Sequence, residues 1–196
     1  MLLAAGYSPQ YGEHPLEDSL LSPARTALNL LLQAHEPYPA LVVDRHWNIV
    51  SANRALGPLM SNVDPQLLKP PANALRISLH PLGLAPYIVN LHEWRHHLLE
   101  RLRRQFRISR DPALDTLLKE LSGYAPSAGE LPQAKNDSLA SEIALPLKLR
   151  TQRGVLSLLS TITTFGTPVE VTLSEVSLEA FYPADLESAK LLGVTK

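Results

Sequence analysis

The run His92-Glu93-Trp94-Arg95-His96 carries a metal-hydrolase pattern: two histidines one helical turn apart can bind zinc, and a glutamate beside the first can activate a water. What these side chains do depends on the helix that holds them. Asn90 followed by Glu93 forms a capping-box pattern, and the spacing predicts a helix from there to about Phe106. At about 100° per residue, Leu91, Trp94, Leu98, Leu102 and Phe106 define an apolar arc, and His92 and His96 project roughly 90–130° from its centre, flanking Arg103. A metal enclosed by the fold requires ligands that face inward. Leu99 and Leu102 do not continue the pattern, and Glu120 is the third ligand to put forward. The projection therefore favours solvated histidines, with a zinc-dependent hydrolase built on His92, Glu93 and His96 as the alternative.

Arg95 differs from its neighbours, because the same projection sets it inside the apolar arc between Leu102 and Phe106. A charge there must find a partner, either an internal acid such as Asp44 or the carboxylate of a ligand. Between Leu91 and Arg110 there are six Arg against two Glu. Such a run is ordinarily a solvated face; contact with another domain or with DNA phosphates is its functional counterpart. No Gly-x-Ser-x-Gly elbow supports a serine nucleophile, and no Gly-rich loop supports nucleotide chemistry.

The remaining composition narrows the class. A chain of 196 residues, 45% hydrophobic and 19% charged, matches one globular domain with a core of its own. Cysteine is absent, which excludes a disulfide scaffold, a Cys-ligated zinc finger and a thiol enzyme. With 18 basic against 19 acidic residues the net charge is -1, less basic than a dedicated nucleic-acid binder. No apolar stretch is long enough to span a bilayer and the first residues lack a signal-peptide pattern, so the cytoplasm is the default location. Prolines number 17 against 9 glycines and are scattered, punctuating elements rather than forming a linker.

Ser22-Pro23 opens a predicted helix to about His35, with Ala24, Ala27, Leu28, Leu31 and Leu32 as its stripe. Ala40–Asp44 and Ile49–Asn53 predict a hairpin, and Asn53 a cap for a short helix through Leu59. Residues 62–90 hold five prolines and little periodicity; within them Ala74–Leu79 fits either a helix or a strand. Asp111-Pro112 starts another helix, ending at Gly123, and a loop follows to Ser141. Three runs then predict strands: Ile143 to Leu149, Val155 to Phe165, and Val169 to Leu173, the last continued after a bend by Val176–Tyr182. The expected fold is α+β, an antiparallel sheet of about five strands covered by helices, with an extra N-terminal helix.

Leu41-Val-Val-Asp44, Ile49-Val-Ser-Ala-Asn53 and Arg54-Ala-Leu resemble the opening of a PAS-type sensor domain, where a hairpin ends in an Asn that starts a helix. Four longer stretches, in order along nearly the whole chain, resemble the ligand-binding half of MmyB-like bacterial transcription regulators. They are Glu36-Pro-Tyr-Pro-Ala-Leu-Val-Val-Asp44, Leu84-Ala-Pro-Tyr-Ile-Val-Asn-Leu-His-Glu-Trp-Arg95, Ser160 to Leu173 with its Thr-Thr-Phe-Gly-Thr-Pro core, and Ala180-Phe-Tyr-Pro-Ala-Asp185.

The resemblance implies a PAS-like domain over residues 21–185 with a lipophilic pocket in which a fatty acid sits, preceded in such regulators by a helix-turn-helix domain of the XRE type. Leu2–Tyr7 looks like the exit from that domain, so residues 1–20 are read as a linker remnant and 186–196 as a tail. On this reading the chain is not an enzyme and needs no cofactor. Its partner is a lipophilic small molecule; it reaches DNA only through the missing domain, and it is free to form a homodimer. Arg95 is the expected anchor for an acidic head group, with Trp94, Leu98 and Leu102 along the chain of the ligand. Met60, Arg76, His80, Thr161 and Thr163 are further candidates; which face of the Val155–Phe165 strand lines the pocket stays open.

Overall fold

The structure, a computed structural model, describes residues 22–124, 145–164 and 176–193. Within them the order is α1 (Ser22–Ala34), β1 (Ala40–Val43), β2 (Ile49–Ala52), a 3-10 helix (Arg54–Met60), α2 (Ala74–Leu79) and a second 3-10 turn (Ala85–Tyr87). Then come α3 (Leu91–Ser109), α4 (Pro112–Ser122), β3 (Leu147–Thr151), β4 (Gly154–Thr164), β5 (Ser177–Pro183) and α5 (Leu186–Leu191). All five strands form one antiparallel sheet in the order β2-β1-β5-β4-β3. The α+β architecture expected from the sequence is therefore the one observed.

Register settles which strand face is which, because directly opposed residues point to the same side of a sheet. Leu41 opposes Glu179, Ser160 opposes Phe181, and Leu158 opposes Leu147. Leu41, Phe181, Leu158 and Leu147 belong to the large core that includes Leu98, Leu102 and Leu121 from α3 and α4. On the opposite face Ala40, Val42, Leu178 and Ala180 form a smaller cluster with Leu28 and Leu32 of α1. Thr161 and Thr163 oppose Ala180 and Leu178, so they lie on that outer face, and both are exposed. Phe165, expected on the same strand face, lies outside the described residues, as do Gly166–Leu173 and most of the loop after Gly123.

Several local expectations are corrected. Asn53 does not cap the 3-10 helix; its buried side chain accepts from the Ala40 N–H at 3.0 Å and donates to the Tyr38 and Leu32 carbonyls at 2.7 and 3.3 Å. It joins α1, β1 and β2 at a point where three backbone groups lack sheet partners. Asn90 likewise caps nothing, since its side chain bonds Lys148 N and the Pro146 carbonyl and so ties the start of α3 to β3. Asp111 does cap α4, accepting from Ala113 N at 2.9 Å. The aperiodic stretch after β2 is ordered through backbone bonds to the hairpin, Ile49 N to Ala72 O and Ala74 N to Trp47 O. Ala74–Leu79 is a helix, capped by Asn73. Residues 186–191, read as part of a tail, form α5, where Ser188 is fully buried and accepts from the Ser157 N–H at the end of the β4–β5 pairing.

Candidate ligand-binding cavity

Between the inner face of the sheet and the helices α2 and α3 lies a small inner cavity of about 60 Å3. Leu41, Leu147, Leu149, Leu158 and Phe181 form its sheet side, Leu75, Ile77, Trp94 and Leu98 its helical side, and Leu56, Leu59 and Met60 of the 3-10 helix one end. Among the described residues its wall has polar side chains only at Ser78, Trp94 and Glu179. The Trp94 indole N–H donates to the Ser78 hydroxyl at 3.0 Å, so those two satisfy each other. The Glu179 carboxylate remains.

Glu179 is 6% exposed and accepts one bond from Arg101 Nη1 of α3, at 3.4 Å. Burial pushes its carboxyl above the usual range, against the opposing pull of Arg101 and of the Ser160 hydroxyl. Burial also weakens the hold of Arg101 on its proton, while Glu179 supports it; a guanidinium stays charged regardless. Arg101 lies 4.3 Å from the ring centroid of Trp47. Trp47 sits in the left-handed region (φ 69°) of a hairpin turn held by Asp44, whose carboxylate accepts from the His46 and Asn48 N–H groups at 2.8 Å. Its indole donates to Gln105 of α3 at 2.8 Å. The hairpin turn thus fixes the aromatic platform that fixes Arg101.

A second, wider cleft of about 700 Å3 lies beyond the same end. It shares Leu59, Leu84 and Leu149 with the inner cavity, so these three side chains are the wall between them. Its rim carries Arg54, Arg150 and Arg153 against one acid, Glu36.

Of the expected site residues, Met60, Trp94 and Leu98 line the cavity, and Leu102 is fully buried in the core beside it. Arg95 does not meet Asp44 and lines neither space: its guanidinium donates to the Leu121 and Ser122 carbonyls at 3.3 and 2.9 Å, at the end of α4. A guanidinium suits that place, where a helix leaves carbonyls unpaired. Arg76 is bonded through two nitrogens to Glu120, both at 2.7 Å, and His80 packs edge-on against Tyr124. Thr161 and Thr163 lie on the far side of the sheet from the cavity.

The zinc reading finds no support. His92 and His96 are exposed, Glu120 is taken by Arg76, and no group of three potential ligands converges among the described residues. The neighbouring His97 stacks on Trp94, and burial, then Arg101, holds its pKa below the usual histidine range.

Sequence reasoning passed over Glu179, Arg101 and Trp47. The period of two in β5 holds a signal for the first, because a strand that turns Phe181 inward turns Glu179 inward as well. The other two are visible only in three dimensions.

No helix among the described residues is long and apolar enough to cross a membrane. Comparison with curated proteins finds no match to this sequence. The sequence profile of the MmyB-like transcription regulator ligand binding domain matches residues 24–193, and on that extent of agreement the chain belongs to this family of regulator ligand-binding domains.

Proposed function

We propose that the chain senses a lipophilic, fatty-acid-like molecule in the inner cavity and passes its occupancy to a DNA-binding domain. The observation that carries this reading is a cavity between sheet and helices whose wall, among the described residues, is apolar apart from one mutually bonded pair and one carboxylate. The role is sensing in the cytoplasm, without catalysis and without a required cofactor.

The volume adds a mechanism. At about 60 Å3 the cavity is well under the ~150 Å3 that takes a single benzene ring, so an acyl chain enters only as the wall yields. The yielding part is the 3-10 helix Arg54–Met60: its hydrogen-bond geometry is inherently poor, Pro58 interrupts it, and Met60 is an adaptable side chain. A ligand that fitted without moving anything would report nothing, because only differential affinity for two states shifts their balance.

Mass spectrometry of what leaves the purified protein on denaturation, with thermal melts in dodecanoic acid, tests the reading. Dodecanoate at a hundred times its Kd should stabilise by about 2.7 kcal/mol. Ala74→Phe, which fills the cavity from the start of α2, should abolish that gain while the protein still folds. No copurifying lipid and an unchanged Tm would overturn the proposal.

A further inference from the structure

We infer that an anionic amphiphile enters tail-first from the wide cleft, through the wall of Leu59, Leu84 and Leu149, and leaves its head group between Arg54 and Arg153. This rests on the lipophilic reading above and adds the direction of insertion and the head-group site.

Three observations carry it. The cavity and the cleft meet at those three leucines, which bend or rotate at small cost compared with breaking a strand. The interior already holds a carboxylate: Glu179 is the acid on the cavity wall, and a second carboxylate sealed in beside it meets like charge in a medium that screens poorly. Arg101 does not relieve this, since Glu179 already takes its charge. The cleft has the opposite sign. Among the described residues the Arg54 guanidinium has no acid or carbonyl partner, and Glu36 accepts from its backbone N–H at 3.2 Å. Among the described residues the Arg153 guanidinium bonds only the Leu191 carbonyl, at 3.3 Å, which leaves its charge without an acid. A carboxylate at the mouth therefore finds two cations, and the methyl end finds the apolar interior.

The two tryptophans of the chain report the direction. Trp94 lines the inner cavity, Trp47 stacks on the Arg101 that bonds Glu179, and neither lines the cleft. Bromine quenches indole fluorescence on near contact. Bound ω-bromododecanoic acid should quench at least about twice as strongly as bound α-bromododecanoic acid, each at saturation measured by calorimetry. Equal or reversed quenching by two bound acids would overturn tail-first insertion and leave the lipophilic reading intact. Failure of both acids to bind would overturn the two together. The exposed double variant Arg54→Ala/Arg153→Ala should weaken dodecanoate roughly fivefold and dodecanol less than about twofold. Equal losses for acid and alcohol would remove the head-group site.

Discussion

Among the described residues two Arg–Glu pairs join different elements, and they are built in opposite ways. At the surface Arg76 of α2 meets Glu120 of α4 through two parallel 2.7 Å bonds, reinforced by the Tyr124 hydroxyl at 2.6 Å. On the cavity wall Arg101 and Glu179 share a single 3.4 Å contact, although their side chains are only 24% and 8% exposed. Geometry is thus best where water would forgive a poor fit, and loosest where a charge most needs a partner. A pair that only held the fold together would be expected to close up as it is buried. The slack at Glu179 instead leaves a carboxylate facing the space a ligand would fill, which is how a cavity wall imposes polarity on its occupant.

The sharpest way to break the comparison is to remove the inner cation. Arg101→Met leaves the Glu179 carboxylate buried and alone, and should lower stability by about 3–5 kcal/mol at neutral pH, as truncating one member of a buried pair does. Replacing both, Arg101→Met with Glu179→Leu, should restore most of it in urea unfolding. The sign with pH follows from linkage. In the single variant the folded state raises the Glu179 pKa further above its unfolded value, so the folded protein binds more protons in that interval and stability falls as pH rises through it. The deficit should therefore be smallest in acid. A deficit of under about 1 kcal/mol would mean that the inner pair is effectively solvated, like the outer one.

Removing the outer acid sharpens the contrast, with the opposite sign. The Arg76 bond, then Tyr124, holds the Glu120 carboxyl below the usual range in spite of partial burial. A depressed folded-state pKa contributes stability that is complete above the unfolded carboxylate value, near 4.3, and is lost as pH falls through the folded one. Glu120→Gln should then cost about 1 kcal/mol at neutral pH, the upper end for a pair whose members are 38% and 34% exposed, and should flatten the acid limb of the stability curve. An acid limb identical to wild type would show that Glu120 stores nothing there.

How much of this the sequence disclosed depends on the range of the information. The stripes of α3 and α4 follow local periodicity and came out where expected, whereas on α1 Leu28 and Leu32 are buried but Ala27 and Leu31 of the expected stripe are exposed, and β3 keeps the alternation of Leu147 and Leu149 but runs Leu147–Thr151, beginning after Leu145. Asn53 and Asn90 stand where caps should be, yet their amides go to other strands, because a buried backbone group with no sheet partner competes for the same side chain. Arg95 and Arg101 lie almost two turns apart on α3, and the helical projection alone gives no reason to assign the inner charge to Arg101. The assignment is made by Trp47 and Glu179, which come from the hairpin and from β5. Trp94 and Leu98 were legible because they lie on the apolar arc of α3, and Met60 because large apolar residues go inward by default.

The smallest expected effect separates tightness from strength at the outer pair. Tyr124 donates its hydroxyl to Glu120 Oε1, the oxygen that also accepts Arg76 Nε, and its own proton is held well above the ordinary phenol range by burial and by that carboxylate. If the two bonds to one oxygen reinforced each other strongly, Tyr124→Phe would approach the loss seen for Glu120→Gln. The Arg76 bonds remain, however, and the carboxylate keeps solvent on its exposed side, so nothing is left buried and unpaired. The hydroxyl's removal should cost about 0.5 kcal/mol, the low end of the net value of one hydrogen bond and about half the loss expected for Glu120→Gln. Paired urea unfolding curves of the two variants and the double variant give the coupling directly. A Tyr124→Phe loss equal to that of Glu120→Gln, with no further loss in the double variant, would mean that Tyr124 and not Arg76 holds the carboxylate, and that the outer pair owes its short distances to the ring packed against His80.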